Sequence, residues 1–120
     1  MKVIINTDFG GFGLSQEAFE MLLKRKGIEY DIDEDTVFGS YRTSFYTKGH
    51  AGDPEYYLSD YDFYDNRSDA DLVSVVEELG ESANGHAANL KIVEIPDGIE
   101  WFIHEYDGRE HVAERHRTWT

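Results

Sequence analysis

Histidines flanking a tight turn, a glycine-rich loop, and a run of aspartates interleaved with tyrosines are the features of this sequence that could do chemistry. Asp107-Gly108, set between two alternating apolar runs, is the sequence of a two-residue hairpin turn. Closing the hairpin there sets His104 opposite His111, Ile103 opposite Val112, Trp101 opposite Glu114 and Phe102 opposite Ala113. Opposed Cβ atoms lie ~4.5–5.5 Å apart, so His104 and His111 could reach one divalent metal. They are a weak metal candidate, because a third ligand must come from elsewhere; otherwise they are two rings on a solvated face. Glu105 faces Glu110, a like-charge pair that is costly unless an arginine or a partner relieves it. His50, beside Gly49 and Gly52, is the lone histidine best suited to acid–base work. No acid, base and anion-stabilising set assembles around it, which makes an enzyme the less favoured class.

Gly10-Gly11-Phe12-Gly13 lies between a strand and a helix, where backbone N–H groups can cradle a phosphate. It lacks the Gly-Lys-Ser/Thr of a Walker loop and the dinucleotide spacing, and Asp8 at its entry repels an anion. Two readings stand. The glycines let backbones approach closely, with Phe9 and Phe12 packing under the sheet; or Gly10, Gly11, Gly13 and Ser15, with Arg67 and His50 nearby, bind a nucleotide or phosphate. No nucleophile elbow is present. With no cysteine, disulfides, thiolate metal sites and cysteine nucleophiles are excluded, and no cofactor is expected.

Charge is the loudest feature. The 120 residues carry a net −14. Residues 29–82 hold fifteen acidic and three basic side chains, and so nearly all of the excess. Such a field repels nucleic-acid phosphates and favours basic partners within about a Debye length, ~8 Å at physiological salt. Spaced carboxylates can imitate a row of phosphates, and tyrosines between them add contact area at low entropic cost. The two patches that fit are Asp60, Tyr61, Asp62, Tyr64 and Asp65, and Asp31, Asp33, Glu34 and Asp35. The plainer reading of the same residues is solubility around a small tyrosine-rich core.

The elements that must position these residues follow from periodicity. Lys2–Asn6 is continuously apolar at its centre, as a strand covered on both faces would be. Ser15 caps a helix to about Lys26, with Glu17 in its first turn, an apolar stripe through Ala18, Phe19, Leu22 and Leu23, and Gly27 as the stop. Ile28–Ile32 alternates as a half-buried strand, Tyr41–Thr47 forms another, and Glu55–Asp65 is mostly loop. Ser68 or Asp69 caps a second helix with Leu72, Val73, Val75, Val76 and Leu79 inward and Gly80 near its end. Leu90–Ile95 is a strand, and the Asp-Gly hairpin closes the chain. The expectation is a single α+β domain over residues 1–120, two helices packed on a mostly antiparallel sheet. No stretch is long and apolar enough to span a membrane, and Met1–Asn6 is too short for a secretion signal.

The sequence also resembles a widespread family of small, uncharacterised bacteriophage proteins. The likeness runs through Asn6–Ser15 with its Gly10-Gly11-Phe12-Gly13-Leu14-Ser15, and through Arg67-Ser68-Asp69, Val75–Gly80, Ala83-Asn84-Gly85, Leu90–Asp97, Glu100-Trp101, Glu105–Gly108 and His116–Trp119. It covers roughly residues 1–30 and 63–119; Ala70 stands where such proteins often have proline, and residues 33–62 fall outside the pattern. The resemblance implies a phage origin and action in the host bacterial cytoplasm, and brings no catalytic residue.

The leading expectation is a phage-encoded accessory protein that binds a basic surface of a host or defence protein, as an acidic nucleic-acid mimic or an inhibitor of the anti-CRISPR kind. It binds no nucleic acid or membrane directly. The alternatives are the phosphate-handling protein above and a minor virion or assembly component, whose terminal hairpin edge would pair with a second copy as a homodimer.

Overall fold

The computed structural model describes residues 1–37 and 40–115, and the side chains of all of these but 35–37 and 40–42. The strands are β1 (Lys2–Asn6), β2 (Tyr30–Val37), β3 (Ser40–Thr47), β4 (Tyr57–Leu58), β5 (Leu90–Glu94), β6 (Trp101–Tyr106) and β7 (Arg109–Glu114). The helices are α1 (Gln16–Arg25) and α2 (Ala70–Leu79), with 3-10 turns at Pro54–Tyr56, Asp60–Phe63 and Gly80–Ala83. All strand pairing is antiparallel and the class is α+β.

Each helix forms for local reasons. Ser15 Oγ accepts from Ala18 N at 3.1 Å to start α1, and Asp69 Oδ2 accepts from Leu72 N at 3.0 Å to start α2. Of the two caps open for α2, Asp69 is the one used. Its other oxygen takes the Lys26 ammonium at 2.8 Å, which ties the end of α1 to the start of α2. Between the helices and β1 lies the core, in which Ile4, Ala18, Leu22, Leu72 and Val75 are wholly buried. Each large aliphatic side chain there stabilises the fold by roughly 1.5–3 kcal/mol.

The single sheet expected from the sequence divides into three: β1–β5, β2–β3–β4 and β6–β7. The division occurs at the second edge of β1, where Arg67 and the Glu110 side chain stand in for a strand. Ile4 N donates to Arg67 O at 2.9 Å, Ile4 O accepts from Arg67 Nη1 at 3.3 Å, and Asn6 N donates to Glu110 Oε1 at 2.8 Å. β1 is thus buried on both faces, as its composition implies, without being central in a ladder.

The acidic middle differs from expectation in two places. β2 runs on past Ile32 to Val37, its full length set by register with β3 from Tyr30↔Thr47 to Val37↔Ser40. Ile32, Asp33 and Glu34 are exposed in succession, so both faces of β2 leave the body there and the hairpin projects as an arm. The stretch read as loop, Glu55–Asp65, is built from two 3-10 turns around β4, which pairs Phe45↔Leu58 and Tyr46↔Tyr57.

Candidate partner-binding surface

At the centre of the site is a cation that never reaches solvent. Arg67 is 2 % exposed, and its guanidinium meets Glu110 through two bonds, Nη1 to Oε1 at 2.7 Å and Nη2 to Oε2 at 2.8 Å. Arg67 Nε donates to Tyr64 O at 2.7 Å, and Phe12 and Tyr64 hold the guanidinium plane at 3.8 and 4.7 Å. This arrangement relieves the Glu105–Glu110 opposition: Arg67 neutralises Glu110, and Glu105 Oε1 accepts the turn amide of Gly108 at 2.7 Å. Asn6, also buried, completes the network by donating to Asp8 O and Gly108 O, each at 2.7 Å. Nothing in the local sequence marks Asn6 or Glu110; the one signal was the cost of opposing Glu105 to Glu110.

Two glycines of this region sit hard against neighbouring backbone. A Cβ on Gly10 would meet Ala87 O at 2.1 Å, and one on Gly85 would meet Gly13 C at 2.6 Å, so these glycines serve close packing of two backbones. Just before α1, Ser15 N donates to Ala83 O at 2.9 Å and Leu14 N to Asp60 Oδ2 at 3.0 Å. Gly11 is open but holds φ +89, a turn conformation. Arg67, expected beside Gly10, Gly11, Gly13 and Ser15 in the phosphate reading, is committed to Glu110 instead.

The residues expected to bind a partner separate into two patches. In the first, Ser59 and Asp62 cap the 3-10 turn reciprocally, Asp62 Oδ2 accepting Ser59 N at 3.2 Å. Tyr61 is 72 % exposed and stacks on Tyr64 at 5.2 Å, continuing the Phe12–Arg67–Tyr64 pile outward to solvent. Asp65 is exposed beside it. Asp60 is half-buried and accepts the Leu14 amide, so it fixes the loop before α1 while adding its charge to this patch. Tyr57, absent from the expected set, is 52 % exposed and shares with Asp60 a cleft of about 320 Å3. Its alternation with Leu58 was a legible signal once β4 is paired.

The second patch is on β2. Asp31 Oδ2 accepts Gly49 N at 2.7 Å and shares a recess with Lys24 and Lys48. Asp33 and Glu34 are exposed; the side chain of Asp35 lies outside the described residues, as do residues 116–119. Asp31, Asp60 and Asp62 are thus held by backbone N–H groups rather than by cations. An N–H fixes a carboxylate without cancelling its charge, so the negative field survives the folding.

His104 and His111 do face each other, with ring centroids 4.8 Å apart. Both are exposed, and no group of three metal-ligating side chains occurs among the described residues. His50 stacks on Tyr56 at 3.7 Å on the surface. No helix among the described residues is long and apolar enough to cross a membrane. Comparison with protein-family models, with curated proteins and with solved structures finds no match.

Proposed function

We propose that this protein is a phage-encoded accessory protein that acts by binding a basic surface on a host or defence protein, in the host cytoplasm, as an acidic mimic of nucleic acid. One observation carries the reading: strongly exposed tyrosines, Tyr61 and Tyr57, stand among carboxylates that the fold orients through backbone N–H groups and leaves charged. Rigid aromatics supply contact area at little entropic cost, and the fixed charges steer a cationic partner to them.

The test is affinity capture from bacterial lysate across a salt series. Between about 0.1 M and about 1 M salt the Debye length falls from ~10 to ~3 Å. A partner held by this surface is captured at the low end and lost at the high end, and duplex DNA competes for it. Capture that ignores both salt and DNA contradicts the proposal.

A further inference from the structure

Beyond β2 its sheet has no further strand among the described residues. Lys48 N donates to Glu29 O at 3.2 Å, the first rung of the β2–β3 ladder. Rungs in an antiparallel pair recur at every second residue. Asp31 and Asp33 therefore turn their backbone groups toward β3, and Tyr30, Ile32 and Glu34 turn theirs outward. No other segment of the described residues bonds the outward groups of Tyr30 or Ile32, and β2 is the terminal strand of its sheet. Ile32 is moreover 39 % exposed at the point where the arm leaves the body.

We propose that this edge takes a fourth strand: an extended segment of the partner with lysine or arginine at every second position and apolar residues between. The proposal rests on the basic-partner reading and adds the conformation of what binds. A further strand supplies ladder bonds while covering Ile32. Charge selects the occupant. Two copies pairing edge to edge would set the acidic run 31–35 against its own like, which disfavours self-pairing. A cationic strand reverses the sign. The alternation of β2 sets the pattern, since Asp31 and Asp33 share a face with Tyr46 and Ser44 while Ile32 lies on the other with Phe45.

The probe is a blocked peptide alternating lysine with valine, about eight residues long to match a strand of this length. Its control is the same peptide N-methylated at alternate residues, which keeps the charge and removes the strand-pairing donors. The intact protein is expected to bind the first peptide at low salt, to bind the control at least about tenfold more weakly, and to slow exchange of the Ile32 amide on binding. Ile32→Pro deletes an outward N–H and leaves the β2–β3 rungs in place, so it should lose about tenfold in affinity with an unchanged urea midpoint. Should that variant misfold, the exchange and N-methylation results on the wild type decide. Equal, salt-sensitive binding of both peptides would overturn strand addition and leave the basic-partner reading standing. Binding of neither would also overturn it, with the lysate capture then deciding the broader reading by itself.

Discussion

Arg67 and Glu110 show what a single buried pair does for this chain. The two close the edge of β1, seat the terminal hairpin and support the tyrosine pile that ends at Tyr61. Removing one partner strands the other charge away from water. Glu110→Ala is therefore expected to cost about 3–5 kcal/mol, read as a fall in the urea midpoint. Arg67→Met with Glu110→Leu should cost less than the sum of the two single changes, and additivity would contradict the pairing. Gly10→Ala should also destabilise strongly, since its Cβ would sit 2.1 Å from Ala87 O, and more than Gly49→Ala, where φ is +86 but space is open. Midpoints in the reverse order would contradict the packing role of the loop. Close approach was one of two readings the glycine loop offered, and the packing of Gly10 on Ala87 favours it. The Arg67–Glu110 pair was not legible, because its partners lie 43 residues apart and nothing local joins them.

The caps and stripes of α1 and α2 give the helices, and their junction gives a pH dependence. Burial alone would raise the Asp69 carboxyl, but the Lys26 ammonium and the Leu72 amide outweigh it and hold it below the usual range. The bond to Asp69 raises Lys26. Burial, with Glu20 accepting its hydroxyl, pushes Tyr30 up to about 12. A depressed carboxyl contributes stability above its unfolded pKa and loses it as pH falls through the folded value, so Asp69 weakens the fold below about pH 4. The raised groups act in the other direction. For Tyr30 the contribution is complete below about pH 10 and is lost as pH rises toward about 12, and Lys26 shifts in the same direction. Asp69→Asn should flatten the acid limb of a melting-temperature profile and Tyr30→Phe the alkaline limb; a profile indifferent to either change would contradict the assignment. Helices and the Asp-Gly hairpin were legible because cap, period and turn agree within a few residues. β2 was legible only to Ile32, because Asp33, Glu34 and Asp35 have poor strand propensity and are held there by pairing with β3, a tertiary effect.

For the whole molecule the consequence of the sequence is a charge that folding leaves in place. Of the residues read as an acidic surface, Asp60 and Asp31 turn out to fix loops, while Asp33, Asp65 and Tyr61 stand exposed. The net charge was legible from composition; its separation into a turn patch and a projecting arm was not, because it depends on which carboxylates the backbone engages. The most direct measurement is therefore a paired capture at about 0.1 M salt, with wild type beside Asp33→Lys/Tyr61→Ala/Asp65→Lys. Those three side chains hold no cap or loop, so circular dichroism and the urea midpoint should match between the two proteins. The account predicts that the salt-sensitive partner is retained by the wild type and absent from the variant; recovery of the same partner in the same amount by both would contradict it.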